Sequence, residues 1–419
     1  MGFHSILVYI SGYLGLFVLS FYLLSMKNYN KKKILYNYDN DKTVSIIIPA
    51  FNEARSIEKT IKSALAIDYP KENLEIIVVD DGSTDDTAKL ARKFVSYSHP
   101  RVRVFSKKNG GKGSALNFGI SKSNLDLVIS MDADTFVDPD AVKLMVSRFY
   151  DKKVMSVTPS MGIYKPRSVW QRIQQIEYYL GTFLRKVFAT INSIHVTPGA
   201  FSIYRREFFL KHGGYAENIL TEDMEVALRI QTHGYIIENV PEAVIHTLGP
   251  KSFKELYTQR RRWYTGQIGN LLDYKHLFGP KTGVLGTIVL PMALISVFLS
   301  MVVTFYSITR IVTEIKKELI FMQSVNFQFN GFLEISSYLT GEFFQRFLFK
   351  IFSEPIVLIG ILFFFITLFY LNFAKRKMKF KGFLWFNLAL FLIGFAILKT
   401  FWWIVSIFYY SSKKEVGWR

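Results

Sequence analysis

The chain has no cysteine among its 419 residues. Disulfides and thiolate metal sites are therefore excluded, while any redox compartment remains open. Negative charge is also scarce: 33 Asp and Glu stand against 52 Lys and Arg, a formal net charge of +19. Such an excess suits nucleic acid or an anionic membrane surface. The placement of the basic residues separates the two. Lys27, Lys31-Lys32-Lys33 and Lys375-Arg376-Lys377 all follow hydrophobic runs. Lys and Arg collect in this way on the cytoplasmic face of membrane proteins. Membrane lipid is thus the expected partner, and nucleic acid is not.

Hydrophobic residues make up 50% of the chain and aromatic residues 16%, more than a soluble domain usually carries. They concentrate at both ends. Residues 5–25 carry no charge and are long enough to cross a bilayer core. The charge follows this run instead of preceding it, which is not the order of a secretory signal and places Lys31 inside. Further apolar segments run over 283–308, 355–374 and 383–411. Lys399 lies inside the last of them and leaves the side of the C-terminus open. Residues 310–350 are mixed and read as an extracellular cap or an interfacial helix pair. The expected organisation is an N-terminal transmembrane helix over 1–30, a cytosolic domain with interfacial helices over 40–280, and a C-terminal transmembrane region over 281–419.

Between the ends the pattern is α/β. The β-branched run 43–49 reads as a buried strand, followed by a helix over 53–66. Strand 74–80, helix 85–97, strand 101–105, helix 113–121 and strand 126–131 continue the alternation. This implies a parallel sheet covered on both faces, with ligands at the carboxyl ends of the strands. Those ends are acidic: Asn52-Glu53, Asp80-Asp81-Gly82-Ser83 and Asp132-Ala133-Asp134. A solvated loop could carry any one of these; three at one sheet end point to a site.

Two carboxylates one residue apart can present both side chains to one hard cation, Mg²⁺ or Mn²⁺, which keeps positions open for phosphate oxygens. Asn109-Gly110-Gly111-Lys112-Gly113 lacks Walker A spacing, yet its glycines permit close backbone approach and Lys112 supplies a cation. A tight turn with a solvated lysine is the alternative. Thr221-Glu222-Asp223 opens a helix over 222–233; it is good capping chemistry, or it offers a carboxylate that deprotonates a hydroxyl. Gln259-Arg260-Arg261-Arg262-Trp263 lies on a helix over 253–271. Its arginines suit lipid phosphate or a diphosphate, and its tryptophan suits stacking on a sugar ring. Helix 166–190 carries apolar residues at helical spacing with Arg167, Arg172, Arg185 and Lys186 among them, an interfacial pattern. His195, His212 and His246 read as surface or satisfied core residues.

Taken in order, these motifs resemble the family 2 glycosyltransferases of GT-A (Rossmann-like) fold. Within that family they look like the membrane processive β-glycan synthases that make cellulose, chitin, hyaluronan or poly-N-acetylglucosamine. The likeness covers residues 43–275. It implies that Glu53 and Asp81, with Asp80 as neighbour, contact the nucleoside, usually uridine, and that Lys112 reaches the diphosphate. It implies that Asp132 and Asp134 hold the metal-bound diphosphate, Asp134 more directly, and that Asp223 is the catalytic base. Gln259, Arg262 and Trp263 would close over the donor, with Trp263 and Glu222 on the acceptor side. The donor would be a nucleotide-diphosphate sugar and the acceptor a glycan. Other readings are a non-processive transferase with a lipid-linked acceptor, and an inactive membrane scaffold or transporter, which would not be expected to keep Asp132, Asp134 and Asp223. The few C-terminal spans leave room for a homo-oligomer or a partner.

Overall fold

The computed structural model describes residues 3–27, 41–95, 100–324, 355–377 and 385–412, with scattered positions between 341 and 349. The basic run 31–33, the linker 378–381, most of 325–350 and the tail beyond 412 lie outside the described residues.

An eight-stranded mixed sheet has the order β3-β2-β1-β4-β7-β6-β8-β5. Its strands are β1 (Val44–Ala50), β2 (Leu74–Asp80), β3 (Arg101–Ser106), β4 (Leu127–Met131), β5 (Thr135–Val137), β6 (Val154–Ile163), β7 (Phe201–Arg205) and β8 (Ile236–Thr247). The first four are parallel, as the alternation of strands and helices requires. β7 then runs antiparallel to β4, with Leu127 opposite Arg205. The sheet continues through β6 and a long, bulged parallel pairing of β6 with β8.

Period-two alternation divides the core. Ile46, Ile48, Ile76 and Val78 face one layer. Ile47, Ile77 and Val79 face the other. Both faces are buried, which explains why these strands read as unbroken apolar runs. Helices α2 (Ile57–Leu65), α3 (Thr87–Arg92) and α4 (Gly111–Lys122) cover this half of the sheet. The approach of α4 is close: a Cβ on Gly119 would lie 2.3 Å from Ile47 Cγ2. The other half carries α5 (Ala141–Val146), α6 (Val169–Thr190), α7 (Arg206–His212), α8 (Glu222–Thr232) and α9 (Phe253–Asp273). Ser168 and Gln171 form a capping box that fixes the start of α6.

Four long apolar helices complete the described chain: α1 (Phe3–Lys27), α10 (Leu290–Ser324), α11 (Pro355–Lys377) and α12 (Trp385–Ser411). Among the described residues one stretch, Leu285–Lys317, is long and apolar enough to cross a membrane; Tyr9–Ser25 and Leu358–Phe373 are shorter apolar helices. α10 does not stop near 308. It continues through Lys316 and Lys317 to Ser324, so the first part of the expected cap is helix.

The chain forms two compact units, residues 1–21 with 292–369, and residues 22–291 with 370–419. In the first, Gly12 and Gly15 of α1 lie against Ile359 and Phe363 of α11; a Cβ on Gly15 would sit 2.5 Å from the Phe363 ring. In the second, α12 belongs with the α/β domain. Trp402 and Ser406 are fully buried, and Trp403 stacks on Tyr264 of α9 with ring centroids 4.8 Å apart. The opposite face of α12 exposes Ile397, Phe401, Ile404 and Phe408.

Candidate active site

The carboxyl ends of β1, β2 and β4 open into a cleft of about 400 Å³ lined by Glu53, Asp81, Lys112, Asp132, Asp134 and Arg262, together with Pro49, Phe51 and Asn109. Five sequence motifs far apart in the chain thus meet in one space.

The loops after β1 and β2 are knitted together. Asn52 adopts φ +55°, and its side-chain oxygen accepts the Thr84 N–H at 2.9 Å. The backbone N–H groups of Asn52 and Glu53 donate to Ser83 Oγ and Thr87 Oγ1 at 2.9 and 2.7 Å. Asp80 accepts the Ser83 N–H at 3.1 Å and shapes its own turn; it does not line the cleft. Asp81 accepts the Gly111 N–H at 2.8 Å and the Gly110 N–H at 3.1 Å, and pairs with Lys107 at 2.8 Å. Its carboxylate therefore fixes the glycine loop. Gly111 takes φ +84°, and α4 begins there, two residues earlier than the sequence suggests.

That early start puts Lys112 in the first turn of α4. Its ammonium reaches Asp132 Oδ1 at 2.6 Å and Glu222 Oε1 at 3.1 Å, and donates to the Gly199 carbonyl at 3.4 Å. Burial disfavours the charge, but Asp132, Glu222 and Asp223 outweigh it and hold the lysine well above its usual value. Lys112 is thus a cationic bridge between the Asp-x-Asp motif and the start of α8.

Asp134 is pushed up to about 7, first by burial and then by the charges of Asp132 and Glu53. Thr247 donates to it at 3.3 Å. Crowded carboxylates of this kind are relieved by a cation. Among the described residues no group of three or more His, Asp or Glu is arranged to hold an ion alone. Asp132 and Asp134 are hard oxygen donors of the kind that Mg²⁺ and Mn²⁺ prefer.

Asp223 is set by backbone. Its Oδ2 accepts the Gly199 N–H at 3.1 Å and its Oδ1 accepts the Met224 N–H at 2.8 Å. Burial and the neighbouring Glu222 raise it to about 6, against the lowering effect of Lys112. Gly199 is a position that sequence reading missed. A Cβ there would lie 2.8 Å from Lys112 Nζ and 3.3 Å from Asp223 Oδ2. A side chain there would crowd the Lys112 ammonium and the Asp223 carboxylate.

α9 brings in the remaining motif. Asn270 donates to the Thr221 carbonyl and hydroxyl at 3.0 and 2.9 Å, and a Cβ on Gly266 would lie 2.4 Å from Thr221 Oγ1. α9 is thereby seated on the residue that opens α8. Arg262 reaches the cleft, whereas Gln259 and Trp263 do not line it. Gln259 Oε1 is buried without a hydrogen-bond partner, and Trp263 packs partly buried against the core. None of His195, His212 and His246 lines the cleft. His195 is half-buried, with Nδ1 3.2 Å from the Ser193 carbonyl.

Residues 45–213, within the α/β domain, match the model of Glycosyl transferase family 2. Within that class, 240 residues are 33% identical to poly-β-1,6-N-acetyl-D-glucosamine synthase of Staphylococcus aureus, covering 57% of each chain. The Staphylococcus epidermidis synthase of the same name is 29% identical over 250 residues, 59% of this chain and 60% of that one. The chain therefore aligns with less than two thirds of the length of these relatives. The solved mannosyltransferase of Pyrobaculum calidifontis, in complex with GDP-Man and Mn²⁺, superposes with a TM-score of 0.62 over 98% of this chain and 99% of that one. At 18% identity this likeness shows the fold, a GT-A-like mixed α/β sheet with long apolar helices. The family and fold resemblance carried by the motifs is met.

Proposed function

We propose that the protein is an inverting, metal-dependent glycosyltransferase that moves a sugar from a nucleotide-diphosphate sugar, a UDP-sugar, to a growing β-linked polysaccharide. The observation that carries this reading is the bridge from Asp132, which lines the cleft, through Lys112 to Glu222 and Asp223 beside it. The likeness to the staphylococcal synthases supports N-acetylglucosamine as the sugar and glycan elongation as the outcome.

Glu53 and Asp81 flank the nucleoside end of the cleft, with Asp80 shaping the turn beside it. Mg²⁺ or Mn²⁺ on Asp132 and Asp134 would neutralise the diphosphate. Lys112 and Arg262 add cationic donors aimed at the same charge, which is largest in the transition state. Asp223 accepts the proton of the acceptor hydroxyl. The hydroxyl oxygen bonds to the anomeric carbon from the face opposite the diphosphate, and the sugar–diphosphate bond breaks with its electrons on the leaving phosphate. An α-linked donor then gives a β-linked product. Gln259 belongs with Arg262 on the donor side, and Trp263 and Glu222 belong to the acceptor side. The apolar helices and their basic flanks support an integral membrane protein with its catalytic domain in the cytosol.

Incubation of the detergent-solubilised full chain with UDP-N-acetylglucosamine and Mn²⁺, followed by sizing of labelled product, tests the reading. A ladder of lengths supports polymerisation. A single sugar on each acceptor would replace it with transfer to a lipid-linked acceptor, and absence of any nucleotide release would remove the enzymatic reading.

A further inference from the structure

Three consecutive arginines on α9 point to three places, as residues 100° apart on a helix must. Arg262 lines the cleft. Arg261 donates to the Tyr409 hydroxyl at 3.1 Å and lies 4.7 Å over its ring, on α12. Arg260 turns into the protein and is 1% exposed. Its Nη1 and Nη2 donate to Glu177 Oε1 and Oε2 of α6 at 3.1 and 2.5 Å. The same guanidinium lies 4.3 Å over the ring of Trp263 and 5.9 Å from that of Trp402.

Arg260 is buried while Glu177 is half-buried, and desolvation of the arginine offsets much of the pair's Coulomb gain. Its best use is to specify geometry. A two-pronged Arg–carboxylate fork fixes the plane of the guanidinium as well as its position. An indole stacked on that plane inherits its orientation. Trp263 is one residue beyond Arg262, which lines the cleft, and is itself partly buried against the core.

We propose that Arg260, oriented by Glu177 and backed by Trp402, is a positioning residue for the acceptor: it holds the Trp263 indole in the plane on which the acceptor sugar rests. This inference depends on the acceptor-side reading of Trp263 given above. Arg260 touches no reacting atom. It acts through Trp263, and α12 enters the site's function by closing the clamp from behind.

The test uses the full chain with UDP-N-acetylglucosamine as donor and a β-1,6-linked N-acetylglucosamine oligosaccharide as acceptor. Arg260→Lys keeps a cation opposite Glu177 but loses the planar fork. It should raise the acceptor KM about tenfold, while donor KM and UDP release without acceptor stay within about twofold. Glu177→Gln should move the same constant in the same direction. In a Trp263→Leu background, Arg260→Lys should add nothing further, because both changes remove one interaction. The inference is overturned if acceptor KM is unchanged in both single variants. It is equally overturned if donor-only release falls in parallel with transfer, which a purely structural role would produce, or if the effects add in the Trp263→Leu background. Wild type that releases no nucleotide would instead sink the proposed function, and the inference with it.

Discussion

Asp223 and Lys112 lie on either side of Gly199, and the backbone of that glycine serves both. Asp223→Asn keeps the shape and removes the proton acceptor. It should lower kcat by about 10²- to 10⁴-fold with donor KM little changed, as read by nucleotide release at saturating donor. The raised carboxyl sets a pH limb. A base works only when deprotonated, so kcat/KM should fall as pH drops through about 6 and level off above it. A flat profile down to pH 5 would exclude Asp223 as the titrating base. Gly199→Ala should cut kcat without preventing folding, since the new methyl presses on the flexible end of Lys112 and on the Asp223 carboxylate; activity equal to wild type, with an unchanged unfolding midpoint, would refute the close packing. Asp132, Asp134, Lys112 and Asp223 were legible because acids and a lysine at strand and helix ends stand out against apolar runs. Gly199 and the Glu177–Arg260 pair were not. A glycine before a strand and one more charge on a helix carry no local signal, and their roles arise only from what the fold brings beside them.

At the scale of elements, the strands β1, β2 and β4 could be read directly because each is buried on both faces. β6 and β8 could not. Their partners are distant in sequence, and β8 carries polar residues where it leaves the core. Helix boundaries moved for physical reasons: Asp81 caps the glycine loop and starts α4 early, and the tie of the post-β1 loop to Ser83 and Thr87 delays α2 to Ile57. The seat of α4 on β1 is the most sensitive of these joints. Gly119→Ala places a methyl 2.3 Å from Ile47 Cγ2, and overpacking of this kind costs about 1–3 kcal/mol. Chemical denaturation should show that loss, with reduced affinity for the donor because Lys112 rides on the same helix. An unchanged midpoint would mean that α4 can lift without cost.

For the molecule as a whole, charge and hydropathy described the ends better than the connectivity did. The apolar segments are helices, and the 285–317 stretch is long enough to cross a bilayer. The last segment, α12, buries Trp402 and Trp403 against the α/β domain and exposes Ile397, Phe401, Ile404 and Phe408 on its other side. Its sequence is apolar on every side, which hides the difference between a face that meets lipid and one that meets protein. The protein should remain in the membrane fraction after high-salt and carbonate washing and be released by detergent. Release by salt alone would mean that basic charge, not apolar helix, holds it there.

The central claim is that Lys112 joins a metal-bound diphosphate site in the cleft to a base beside it, Asp223. Nucleotide release tests it most directly, with purified full chain, UDP-N-acetylglucosamine, an acceptor oligosaccharide and Mn²⁺. The account predicts UDP release that is lost on chelation, and lost again with metal present in Asp132→Asn and Asp223→Asn. Release that persists in both variants would contradict it.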